Sequence, residues 1–446
     1  METVANQADE AASPIVYVID GQRLTTHSTG FAEAVATAHA THLRPRCLCV
    51  PDGIRMYVAR IGEGFIVKRM PNTGSRHAPA CPSYEPQPEF SGLGQVLGSA
   101  IVEDPATGET TLDLGFSLFR IGGRSAVHAS GAAGDSVVSG GTKLSMRGLL
   151  HYLWDQAELT RWHPGFSGKR SWATVRTHLQ QAADHKLACG VALESRLYIP
   201  EAFFVEKRDA ILARRTARWA SAVGEPGKPQ QLMLLIAELK EIGPARYGFK
   251  AIVKHLPDQA FALDEQLYRR LGLTFESALA LWGAAEDIHM VMIATFGIGP
   301  AGIPTITELS LMPVTRSWLP VDDGFEKQLV ERLVAEGRSF VKGLRYNLGA
   351  DSVSASATLT DCEGSAPMLF VVHAGPENGL RHLPVDAAST PVWRWDPSSE
   401  AMPSLPVRWS RPARAAESAT DGGRPLSRGS AHRSQRGRPV DPPEHA

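Results

Sequence analysis

The feature that most constrains this chain is a pair of half-sites, Cys47-x-Cys49 and His77-x₃-Cys81, which places three of its five cysteines beside one histidine. In an extended segment residues i and i+2 project to the same face, so the sulfurs of Cys47 and Cys49 can reach one ion. His77 and Cys81 are four apart, a spacing that puts them on the same side of a single helical turn. Between the halves, Ile54–Ile61 and Phe65–Met70 are β-prone runs joined by Gly62-Glu63-Gly64, and Pro71, Asn72 and Gly74 then end the pairing. The hairpin returns the chain to its starting edge. Zn²⁺ favours four tetrahedral sulfur and nitrogen ligands in a closed structural site, and three cysteines with one histidine are a standard set. A structural zinc on Cys47, Cys49, His77 and Cys81 is therefore expected, supplying folding free energy to a small hairpin unit with little core. The C-x-C spacing is shorter than the usual knuckle, which leaves His42 and Asp52 as alternatives for the fourth ligand. Cys189 and Cys362 have no histidine at a diagnostic spacing and read as ordinary thiols.

A chain of 446 residues has room for several domains, and its 43% hydrophobic and 21% charged residues are those of a globular protein. Lys plus Arg (46) nearly balances Asp plus Glu (47), so any affinity for nucleic acid has to come from local patches. The first sixteen residues hold neither a basic leader nor an apolar stretch, and the longest apolar runs, Leu232–Ala237 and Met290–Phe296, are too short to span a bilayer. No membrane partner and a reducing cytoplasmic location are the expectation.

The patterning predicts an α+β multidomain chain. Residues 1–12 read as disordered, and 13–129 as a zinc-ribbon-like N-terminal domain with a strand at Ile15–Ile19 and a helix over about 31–43. The Gly/Ser-rich stretch 130–143 reads as a linker. Residues 144–228 form a mainly helical, winged-helix-like unit: Leu149, Leu150, Leu153, Trp154 and Ala157 recur at helical spacing, as do Trp172, Val175, Leu179 and Ala182, and a basic helix covers about 202–219. Residues 229–406 alternate strands (232–239, 249–255, 289–296, 306–316) with helices (264–282, 325–341), which predicts an α/β domain. The Arg/Pro-rich segment 407–446 reads as a disordered tail.

In that last domain, Glu326 and Glu331 on a helix, followed by a strand ending at Asp361, resemble the order of a restriction-endonuclease-like fold. The next strand, Met368–His373, lacks the acidic-x-Lys pair that would complete a magnesium site, so a divergent metal-dependent nuclease is the alternative rather than the leading reading. Ser167-Gly168-Lys169 and Gly92-Leu93-Gly94 are misspaced for phosphate loops, and no Gly-x-Ser-x-Gly elbow occurs. Arg55, Arg60, Lys68, Arg69 and Arg76 cluster around the hairpin with Tyr57 and Phe65 interleaved, as a ribbon that contacts phosphates would. A second basic set, Lys207, Arg208, Arg214, Arg215 and Arg218, lies on one helix, with Lys169, Arg170 and Arg176 before it. The leading reading is a non-catalytic zinc protein associated with nucleic acid or a mobile-element complex, and a protein-interaction scaffold is a third.

Three further stretches carry a likeness. Lys68-Arg-Met-Pro-Asn-Thr-Gly74 with His77 and Cys81, Trp318-Leu-Pro-Val321, and Arg338-Ser-Phe-Val-Lys-Gly-Leu-Arg-Tyr-Asn347 together resemble a bacterial family numbered 1173 among domains of unknown function. The likeness covers about residues 15–406. It implies an association with plasmids and integrated mobile elements, but no activity.

Overall fold

The computed structural model describes residues 15–61, 64–105, 107–120, 141–225, 227–349, 352–372 and 390–409. The expected disordered start (1–12), the linker up to 140 and the tail from 410 lie outside those residues, as do Gly62 and Glu63 of the hairpin turn. The architecture is α+β.

β1 (Val16–Ile19) turns through Asp20 and Gly21, both at positive φ, into β2 (Gln22–Thr25). α1 (Phe31–Ala40) stops short of the expected residue 43 because His42 takes up the left-handed conformation and Leu43 N–H closes back on the Ala38 carbonyl. β3 (Arg46–Cys47), β4 (Ile54–Ile61) and β5 (Gly64–Arg69) complete a sheet of order β2-β1-β3-β4-β5, antiparallel throughout. One face buries Tyr17, Ile19, Cys47 and Met56 against Val35 and Ala38 of α1. The unit therefore has an apolar core of its own, which corrects the expectation of a hairpin with little core.

Next come α2 (Leu93–Val96), β6 (Ile101–Glu103), β7 (Thr110–Leu112) and β8 (Phe119–Arg120). The helical stretch follows as expected with α3 (Met146–Gln156) and α4 (Trp172–Ala183), capped by Ser145 and Ser171, with β9 (Arg161–Trp162) between them. β10 (Lys186–Ala188), β11 (Val191–Ala192), α5 (Leu193–Arg196), β12 (Leu197–Tyr198) and α6 (Arg208–Trp219) end this part. α6 begins at Arg208 rather than near 202, after a 3₁₀ turn at Val205–Lys207.

β13 (Gln230–Gln231), β14 (Met233–Pro244), β15 (Phe249–Val253), β16 (Ala260–Leu263), α7 (Glu265–Thr274), α8 (Glu276–Ala284), β17 (His289–Ile298) and β18 (Pro304–Val314) follow. β14, β15, β16, β18 and β17 pair in turn, and β17 pairs back onto β14, so five mostly antiparallel strands close a ring. Met233, Leu235, Ala251, Phe261, Met292 and Phe296 belong to its core. This ring, rather than alternating strands and helices, organises the segment expected as an α/β domain. The expected helix 264–282 is split at Phe275. α9 (Gly324–Ala335) ends early because Gly337, at φ 64°, lets Arg338 N–H bond the Leu333 carbonyl. Residues expected in its last turn form β19 (Phe340–Lys342), in a sheet with β20 (Ala357–Leu359), β21 (Met368–Val371), β22 (Val392–Trp395) and β9.

Pairings run across the three segments read from the sequence: β8 with β13, β12 with β14, β9 with β19, and β7 with β10. The described residues all belong to one unit ending at Trp409. Among them no helix is long and apolar enough to cross a membrane.

Candidate metal centre

Cys47 ends β3 with its side chain on the core face, and Cys49 follows in a bend. After β5, Asn72 turns the chain at positive φ and Thr73 Oγ1 bonds the Met70 carbonyl. Gly74 passes so close to Glu85 that a Cβ would lie 2.6 Å from the Glu85 Cβ. His77 and Cys81 do not share the expected helical turn. His77 is extended beyond a 3₁₀ turn at Gly74–Arg76, and Cys81 N–H bonds the Ala78 carbonyl in the loop that follows.

All four ligand atoms nevertheless lie within 4.8 Å of one another. Cys47 Sγ is 3.8 Å from Cys81 Sγ, and His77 Nδ1 is 3.3 Å from Cys49 Sγ and 3.7 Å from Cys81 Sγ. Tetrahedral Zn–S bonds of about 2.3 Å and a Zn–N bond of about 2.0 Å place sulfurs about 3.8 Å apart and sulfur from nitrogen about 3.6 Å, so the set fits that ion. His42 and Asp52 are not in the cluster. The backbone N–H groups of Cys49, Ala78 and Ser83 donate toward the sulfurs of Cys47, Cys49 and Cys81, favouring thiolates. Cys81 is held far below the ordinary thiol range by its hydrogen bond with Cys47 and by His77, whereas Cys47 is pushed up by Cys81 and by burial. Four donors with Cys47, His77 and Cys81 buried make a closed shell, which suits a structural ion. His77 Nε2 is buried without a hydrogen-bond partner among the described residues.

The five basic residues expected on the ribbon do not form one stripe. Arg55, Arg60 and Arg76 are exposed, but Lys68 is half-buried and Arg69 pairs with Glu85. Strand parity puts Arg55 and Lys68 on one face, and Arg60 and Arg69 on the other. What the sequence reading missed is a transverse row: Arg23 on β2, Val18 on β1, Arg46 on β3 and Arg55 on β4 are successive register partners. The three arginines are exposed, and none makes an ion pair or side-chain hydrogen bond among the described residues. They lie on the face opposite Cys47. Only the register links them, since Arg23 and Arg46 are far apart in sequence.

Five residues of the second basic set are taken up internally, while Lys169, Lys207 and Arg208 stay exposed. Arg214 pairs with Glu201, Arg215 with Asp258, and Arg218 donates to the carbonyls of Glu194 and Leu197. Arg170 bonds the Leu159 carbonyl at 2.9 Å and Arg176 the Ile199 carbonyl at 3.0 Å.

Glu326, Glu331 and Asp361 do not converge into a metal-holding group. Glu326 is buried against Lys342 at 2.8 Å, Glu331 pairs with Lys327, and Asp361 takes a bidentate contact from Arg338 at 2.8 and 2.9 Å. The stretches carrying the family likeness serve the fold in the same way. Asn347 Oδ1 accepts from Ser145, Tyr346 N–H bonds His151 Nδ1, and Trp318 stacks on His289 at 4.4 Å.

A family model described as "Protein of unknown function (DUF1173)" matches residues 17–398. No curated protein and no solved structure matches the chain.

Proposed function

We propose that this chain, which belongs to the DUF1173 family, is a non-catalytic cytoplasmic zinc protein that grips nucleic acid through the arginine row of its N-terminal sheet. The zinc, bound by Cys47, Cys49, His77 and Cys81 in a zinc-ribbon-like arrangement, staples β3 to the loop after β5 and so fixes the mount of Arg46. The observation that carries the reading is the Arg46–Arg55 pair. Like charges directly opposite across an antiparallel pair destabilise a sheet, and nothing acidic neutralises these two among the described residues. An anionic partner would repay that cost, and arginines spaced by neighbouring strands suit successive phosphates. The strand β7 before α3 and the hairpin β10–β11 after α4 support a winged-helix-like second contact unit. A role on plasmids or other mobile elements is the setting such a protein suits. A nuclease at Glu326, Glu331 and Asp361 is disfavoured, because each carboxylate is already held by a basic side chain.

The test is a binding series on the zinc-loaded protein with duplex and single-stranded DNA across salt. Affinity should fall linearly with log salt, and Arg46→Glu with Arg55→Glu should reduce the slope by about 2. Binding indifferent to ionic strength, or unchanged in the double variant, overturns the reading.

A further inference from the structure

On the face of the sheet that carries Arg55, farther along β4 and β5, lies a cavity of about 460 Å³. Tyr57 and Lys68 bound it on one side, Glu103 and Thr110 of β6 and β7 on another, and Lys186 of β10 on a third. A second hollow of about 380 Å³ shares Glu85, Glu103 and Asp155 with it and is also lined by Tyr152. Volumes of this order are those of small-ligand sites.

Two buried polar groups here are left short of partners. Lys186 is 4% exposed; its Nζ donates to Thr110 Oγ1 at 3.2 Å and lies 5.7 Å from the centre of the Tyr152 ring. It forms no ion pair with a carboxylate among the described residues. Burial pushes the Tyr152 hydroxyl up and the Thr110 hydroxyl beside it pulls it down, and it makes no well-aligned hydrogen bond among the described residues. Buried ammonium groups are normally paired, and buried hydroxyls normally bonded. Burial pushes Lys186 down to about 8 and Lys68 adds to that shift, while Glu103 and Asp184 attract it from beyond ion-pair distance. Glu103 attracts Lys68 as well, also from beyond ion-pair distance, so an anion seated between the two ammonium groups would give each a closer partner.

We propose that this cavity binds a small molecule with a phosphate or carboxylate at one end, seated at Lys68 and Lys186 with Thr110 as a further partner. Along the rest of the wall Glu85 is paired with Arg69, whereas Glu103 and Asp155 disfavour a polyanion, so the far end of the ligand carries an amine or other hydrogen-bond donors. The site is therefore distinct from the arginine row and independent of the nucleic-acid reading.

Calorimetry and thermal unfolding of the full zinc-loaded chain, with inorganic phosphate, phosphoethanolamine, glycine and ethanolamine as probes, test this. Phosphoethanolamine should bind saturably and raise Tm, ethanolamine should do neither, and the contrast between phosphoethanolamine and glycine identifies which anionic group is preferred. Lys186→Met should weaken binding about tenfold or more. Without ligand, that variant should be at least as stable as wild type, because it removes an ammonium that no carboxylate pairs. Arg55→Glu should leave binding intact. Wild type that binds neither phosphoethanolamine, glycine nor phosphate overturns the proposal. So does a Lys186→Met protein that binds as wild type does, or one whose unliganded Tm falls by several degrees, which would make Lys186 a structural group.

Discussion

At the scale of single residues, the four metal ligands differ from the charged residues in how far their roles follow from chemistry alone. Sulfur and imidazole in this number have one common purpose, so replacing any of them has a defined effect. Cys81→Ser should leave purified protein with far less than one zinc per chain, read by metal analysis, because it removes one of the four donors of a closed shell. Acidic residues have no such single purpose. Glu326 in sequence is a possible metal ligand, whereas in the fold it is a buried carboxylate that burial pushes up and Lys342 pulls down. Lys342→Met should cost about 3–5 kcal/mol in urea unfolding by leaving that carboxylate unpaired, and adding Glu326→Leu should recover most of the loss. If the double variant is no more stable than the single, the pair is not the unit described. Gly343 makes a third residue-scale point: a Cβ there would lie 1.8 Å from the Ala355 carbonyl oxygen. Gly343→Ala must shift backbone and should yield little folded protein on expression.

At the scale of elements, short pieces do much of the positioning. β3 has only two residues, yet it carries Cys47 on one face and Arg46 on the other, so the metal and the arginine row are two sides of one strand. No periodicity argument finds a strand of that length. The Arg338–Asn347 stretch latches α3 to the C-terminal sheet: Arg338 holds Asp361, Lys342 holds Glu326, Tyr346 N–H bonds His151 at 3.0 Å, and Asn347 accepts from Ser145. His151 is fully buried, and desolvation followed by Arg147 brings it down to about 3. Its folded value is below its unfolded one, so the unfolded chain binds a proton that the native chain refuses. The stability contribution is fully present above pH 6.5 and is lost as pH falls toward 3, at up to about 1.4 kcal/mol per pH unit. His151→Gln keeps an acceptor for Tyr346 and should flatten this part of the stability profile. An unchanged slope would assign the acid sensitivity elsewhere.

At the scale of the whole molecule, the strand pairings tie distant parts of the sequence together, and the proposed zinc would serve one of them. Removing zinc with a chelator should release amide protection first in β1–β5, whose packing depends on the Cys47–Cys81 staple, while the ring of β14–β18 keeps its own apolar core. Hydrogen exchange followed by mass spectrometry reads the two regions separately. Equal loss of protection in both would mean that the metal supports the whole fold rather than its first sheet.

The sequence alone determined the clustering of Cys47, Cys49, His77 and Cys81, the hairpin that joins its halves, most long helices and strands, and the α+β class. Each of these depends on local spacing, on turn residues such as Asn72, or on coordination chemistry that is the same in any fold. It did not determine that five strands close a ring, that His77 and Cys81 converge through a loop, or that Arg170 and Arg215 are spent on internal partners. Nor did it show that Arg23, Arg46 and Arg55 share a row, or that Lys186 is buried without a carboxylate. Those facts depend on strand register and on which charges are brought within a few ångströms of one another, and pairing across long stretches of chain leaves no periodic trace in the residues that make it.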